Sequence, residues 1–184
     1  MEDQRARAYA AEGVVWSRLA RLLPDAGDVD EVQGCWDIGE QEAGLHVLVD
    51  RLLQQGLTVG EPERAELAVM AEQWGEWDQL GAGIAALPCG TGRPARLRVF
   101  EDGARDTIPH PAGEAVLVPW ISCEPCGRVL ARAHVQEEWG ALSYLAVSYV
   151  VLAPDGARLE FDAQEEAAAW SALGALRAGC GLTS

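Results

Sequence analysis

The period of the hydrophobic pattern changes once along this 184-residue chain, and that change limits the folds open to it. Up to about residue 88, apolar residues recur at three- and four-residue intervals, the spacing of one face of an α-helix. Val15, Trp16, Leu19, Leu22 and Leu23 mark a first helix from Glu2 to Leu23, which Pro24 and Asp25 stop. A polar stretch from Asp25 to Gln33 and the segment Cys35-Trp36-Asp37-Ile38-Gly39 lead into the clearest stripe, Leu45, Leu48, Val49, Leu52 and Leu53. That stripe predicts a helix over about Glu40–Gln55, with Gly56 as its C-terminal cap. Pro62 suits the first turn of another helix, whose stripe is Leu67, Met70, Ala71, Trp74 and Trp77. It can continue to Leu80, Ile84 and Leu87 past a weak point at Gly75, and its short link to the preceding helix predicts an antiparallel pair.

Beyond the turn-rich junction Cys89-Gly-Thr-Gly-Arg-Pro94 the runs become short and β-like. Strands are expected at Ala95–Phe100, Ala115–Ile121, Arg128–Val135 and Leu142–Ala153, the last nearly continuous in apolar and aromatic residues, as a central strand is. Pro154-Asp155-Gly156 turns the chain into a returning strand, Arg158–Phe161, and a helix over Ala163–Ala178 closes the sequence. The expected fold class is α+β: a helical N-terminal half, with a helix pair plus an N-terminal helix, then a small, mainly antiparallel sheet with a C-terminal helix. The division falls into an acidic helical domain, 1–88, and a β-rich domain, 89–184, that carries a CxxC turn and the last helix.

Charge narrows the partners. Fourteen basic and 29 acidic residues give a net charge of −15, which repels nucleic-acid phosphates and anionic membranes and favours a basic protein partner. The acids concentrate in the helical half: 17 acids and 6 arginines over residues 1–88 leave −11, against 12 acids and 8 arginines over 89–184, which leave −4. An acidic binding face and plain solvation both account for this excess. Every basic residue is arginine, so P-loop, Schiff-base and Ser-Lys chemistry is excluded. The same lysine-free, Ala/Arg/Gly-rich usage suggests a high-GC bacterial genome. The start, Met1-Glu-Asp-Gln-Arg, lacks an apolar signal core and no run is long enough to span a bilayer, so the expected compartment is the cytoplasm, with reduced thiols.

Cys123-Glu-Pro-Cys126-Gly127 is the one constellation with a recognised chemistry. Two thiolates two residues apart on a turn can share a tetrahedral zinc, with His134, Cys89, His110 and Cys180 as candidates to complete it. The same pair fits structural thiols packed at a hairpin, or a redox dithiol, although the latter should open a helix and Val129–Val135 looks extended. Gly81-Ala-Gly83-Ile-Ala-Ala86 has the letters of a dinucleotide fingerprint without the preceding strand. His46 adjoins a helical stripe, and His110, between Pro109 and Pro111, reads as a plain turn. Of seven tryptophans, Trp16, Trp74 and Trp170 lie on apolar faces, while Trp36, Trp77, Trp120 and Trp139 adjoin turns or charges and are candidate interface anchors.

The stretch from Cys35-Trp-Asp-Ile-Gly-Glu-Gln-Glu-Ala-Gly-Leu45 to Ala71-Glu-Gln-Trp-Gly75 resembles the helical core of small bacterial immunity proteins that protect against contact-dependent or polymorphic toxins. The shared elements are an acidic entry to a Leu-rich helix, a short Leu-Thr-Val link and a second helix ending near Trp-Gly. The resemblance implies a non-enzymatic protein that sits on a cognate toxin and blocks it. Trp36, Asp37, Glu40 and Glu42, clustered at the entry to the Leu-rich helix, are the expected contact residues. Acids there also complement a helix N-terminus, a purely local role. The alternatives are a structural or regulatory domain with a zinc knuckle at Cys123 and Cys126, and an enzyme that would need His110 or His134 beside a carboxylate.

Overall fold

The computed structural model describes residues 2–90, 96–102, 105–110, 113 and 115–179. The fold is α+β, and the chain divides into two compact units, Met1–Arg93 and Pro94–Ser184. Among the described residues no helix is long and apolar enough to cross a membrane.

The first unit holds α1 (Glu2–Ala20), α2 (Ala26–Ile38), α3 (Gln41–Gln54), α4 (Glu61–Gln73) and α5 (Trp77–Ala86). Helix α2 occupies the segment whose sequence carries no stripe, and only Val32 and Trp36 of it are buried. Its ends account for it. The Asp25 carboxylate accepts from the N–H groups of Gly27 and Asp28 at 2.9 and 3.1 Å. At the other end Gly39 adopts φ 84°, which lets Glu40 N–H reach the Cys35 carbonyl at 2.8 Å while Gly39 N–H reaches that of Trp36 at 3.2 Å. This left-handed cap suits glycine, which lacks the Cβ that makes such a φ costly. The weak point at Gly75, φ 72°, is a full break with the same pair of bonds, so the long third helix of the sequence reading is two helices, α4 and α5. As a result α3 packs chiefly on α2 and α5, and not on α4 as the short link suggested.

Leu45, Leu48, Val49 and Leu52 of the α3 stripe are buried as expected, at or near zero exposure, whereas Leu53 is exposed. Helix α4 is buried from Ala65 to Met70 on every side, as the centre of a bundle is. Trp16 is fully buried and donates its indole N–H to the Val32 carbonyl at 3.1 Å. Gly44 permits the close approach of three elements: a Cβ there would stand 2.7 Å from both the Trp16 ring and the Cys35 Cβ.

The second unit is an antiparallel sheet of β1 (Leu97–Val99), β2 (Ile108–Pro109), β3 (Ala115–Cys123), β4 (Val129–Val135), β5 (Ser148–Leu152) and β6 (Arg158–Asp162), with α6 (Ala168–Ala178) packed over β4, β5 and β6. The order is β1-β3-β4-β5-β6, and β2 also pairs with β3. Opposite Ala131 and Leu130 the register of β3 shifts between Pro119 and Ile121, a bulge that inserts Trp120. Leu117, Ala131, Ala133 and Val150 form one core cluster of this sheet. The apolar run expected to be a strand from Leu142 joins the ladder only at Ser148. Its first part belongs to a hairpin arm, in which Gln136 bridges Leu142 and Ser143 N–H meets the Val135 carbonyl at 2.8 Å.

Candidate functional site

The expected contact residues all lie where α2 turns into α3, but they do not share one environment. Trp36 is only 9% exposed. It stacks on Tyr9 with ring centroids 4.5 Å apart and tilts against Trp16 at 5.3 Å, which corrects its expected role as an exposed anchor. An aromatic ring loses far more by staying wet than by packing on two others. The buried Gln41 side chain donates to the Tyr9 hydroxyl at 2.8 Å and to the Trp36 carbonyl at 3.4 Å, tying α1, α2 and α3 together under the corner.

Two residues on, Ile38 is 75% exposed, and around it in sequence Asp37, Glu40 and Glu42 are exposed as well. The Asp37 carboxylate accepts from Gln33 Nε2 at 3.2 Å, and the Glu40 side chain makes no cap bond to the helix it precedes. The local potential shows in Cys35. Its thiol is pushed up chiefly by burial, and then by the charges of Glu31 and Glu40. The corner is therefore an exposed β-branched apolar side chain in an acidic surround, at the left-handed cap that ends α2. Such a surface can dock an apolar contact and attract cationic groups around it.

The other candidates are less favoured. Cys123 is free and fully buried, whereas Cys126 is disulfide-bonded, so the CxxC turn does not present two thiolates, and the expectation of reduced thiols fails at Cys126. Cys180 lies outside the described residues. Cys89 sits in the first unit, bridged to Val59, and Cys35 and Cys89 are free. Among the described residues no three His, Cys, Asp or Glu side chains stand together as a metal-holding group. The turn leads from strand to strand and not into a helix, so a thioredoxin-like arrangement is absent there.

His110 is more than a plain turn residue: its Nε2 lies 3.4 Å from Glu160 Oε1, and the Ser148 hydroxyl donates to the same oxygen at 2.7 Å. One carboxylate oxygen of Glu160 thus meets both the serine hydroxyl and the imidazole. His134 is buried on β4, with Nδ1 2.7 Å from the Ser143 carbonyl, and His46 pairs with Glu76 at 2.7 Å. Sequence reading missed Arg132, 2% exposed at the centre of the sheet, ion-paired with Asp102 and 5.7 Å from the Trp120 ring. Its place on one face of β4 with Leu130 and His134, alternating with Ala131 and Ala133, was the available signal. Of the four tryptophans expected as anchors only Trp139 is exposed, at 78%, on the tip of the hairpin arm between Glu138 and the left-handed Gly140.

No family model, curated protein or solved structure matches the chain.

Proposed function

We propose that this chain is a non-enzymatic, acidic binding protein that neutralises a basic protein partner, in the manner of a bacterial immunity protein acting on a toxin in the cytoplasm. The observation that carries the reading is Ile38, 75% exposed on a rigid corner with Asp37, Glu40 and Glu42 exposed beside it. A large apolar side chain held in water on a preorganised base is what interface centres consist of, and an acidic rim steers a cationic partner onto it. The net charge of −15 supports a basic partner over nucleic acid or an anionic membrane. Asp37, Glu40 and Glu42 form the steering rim and Ile38 the apolar contact.

The test is a comparison of captures from lysate of the source organism, with washes at low and raised salt. The bait is either the wild-type protein or the triple variant Asp37→Lys/Glu40→Lys/Glu42→Lys. A stoichiometric basic protein released by salt from the wild type, whose association with the triple variant slows by about 10- to 100-fold and loses its salt dependence, is the expected result. Ile38→Ala should speed dissociation and leave the association rate nearly unchanged. Equal capture and equal kinetics with all baits would sink the proposal.

A further inference from the structure

The outer edge of the sheet carries a second surface, independent of the corner. Among the described residues strand β6 pairs with β5 on one side only. Ala153 N–H bonds the Ala157 carbonyl and Ala163 N–H bonds the Val147 carbonyl, so along β6 the odd-numbered residues turn their backbone groups toward β5. The N–H groups of Arg158, Glu160 and Asp162 therefore point outward, as do the carbonyls of Arg158 and Glu160; the Asp162 carbonyl is already taken by Glu165 N–H at 2.9 Å. Leu159 is 53% exposed and Phe161 half-buried on this strand, an unusual exposure for an edge, which proteins ordinarily protect.

We infer that β6 pairs antiparallel with β6 of a second copy of this chain, with Glu160 at the two-fold axis. The sequence Arg158-Leu-Glu-Phe-Asp162 is self-complementary in that register. Arg158 falls opposite Asp162 of the other copy, and Leu159 opposite Phe161, so each strand supplies both halves of an ion pair and of an apolar pair. Glu160 exchanges both backbone bonds with its counterpart, and Asp162 N–H donates to the opposite Arg158 carbonyl. The like charges at the axis are held apart because each Glu160 carboxylate is drawn back by Ser148 and His110 of its own sheet. Arg158 has no ion-pair partner among the described residues, and the second copy provides one.

Sedimentation of the intact protein over about 1–100 μM should show a monomer passing into a dimer, the range of an interface below standard size. Amide exchange followed over the same range gives the register. Glu160 and Asp162 amides should slow at the higher concentration, while Leu159 and Phe161, already bonded to β5, should not change. Arg158→Asp places two carboxylates opposite each other and should weaken the dimer by about tenfold; Arg158→Asp/Asp162→Arg exchanges the charges and should restore it. Far-UV circular dichroism checks that each variant folds. A monomer at every concentration overturns the inference, and so does a dimer that leaves the Glu160 and Asp162 amides unprotected.

Discussion

The helical and sheet units meet the same problem, a charge inside a small core, with opposite signs. In the helical unit the carboxylate of Glu66 is the buried partner, and Arg18, nearly half exposed, reaches in from the surface to pair with it and with Glu63 at 3.5 Å. In the sheet unit the buried partner is Arg132, and the half-exposed Asp102 reaches in. The difference follows from the frames. A helix bundle rich in acids has carboxylates to spare and few arginines, so one acid is absorbed; a sheet buried on both sides at β3 and β4 seats a guanidinium over the face of the Trp120 ring. The exposed apolar groups differ likewise. Ile38 ends a helix at its left-handed cap, whereas Trp139 lies on a hairpin arm in which the Ser143 hydroxyl accepts from Val135 N–H and donates to the Leu145 carbonyl.

The largest expected effect separates two tryptophans of opposite station. Trp16→Ala removes a fully buried ring together with its bond to Val32 and should cost about 3–5 kcal/mol in urea unfolding. Trp139→Ala should stay within about 0.5 kcal/mol, since the ring is 78% exposed. A large loss from Trp139→Ala would mean that the arm is part of a folded core and not a presented surface.

The two buried ion pairs give the next effect. Asp102→Asn leaves the Arg132 guanidinium inside the sheet without its anionic partner and should cost about 1–3 kcal/mol. Arg18→Gln should cost less, because the Glu66 side chain keeps 9% of its surface in water against 2% for Arg132, so solvent screens the lost pairing more. The double variant Asp102→Asn/Arg132→Leu should recover part of the loss, since no buried charge remains. A reversed order of the two single variants would show that the contrast between the units is not electrostatic.

The same contrast governs what could be read from sequence. The α+β division and the stripe of α3 were legible because burial there repeats with the period of the element itself. Helix α2 was not, because its identity rests on two caps, Asp25 and Gly39, and on two buried residues in place of a stripe. The corner acids are exposed, as their clustering suggested, but Trp36 is buried where exposure was expected, and nothing in the sequence marked Ile38. Trp36 sits among charges in sequence yet is covered by Tyr9 and Trp16 from another helix, and such long-range stacking leaves no local trace. The pairing of His110 with Glu160 is hidden for the same reason, since the two approach only once the strands between them have formed.

The smallest expected effect lies in the helical unit and distinguishes a tolerated acid from a required one. Glu12 accepts the Trp74 indole N–H at 2.7 Å, and burial raises its carboxyl above the ordinary range more than that bond lowers it. The folded protein thus holds the Glu12 proton more tightly than the unfolded chain does. Its contribution is fully present below the unfolded carboxylate range and is lost as pH rises through the raised folded value, so at neutral pH the ionised side chain is a small cost. Glu12→Gln keeps an oxygen for Trp74 and removes the charge. It should raise the thermal midpoint by on the order of 2 °C at neutral pH and leave it unchanged in acid. If the variant is instead destabilised at neutral pH, the negative charge itself strengthens the bond to Trp74, and the helical unit needs this acid as the sheet unit needs Asp102.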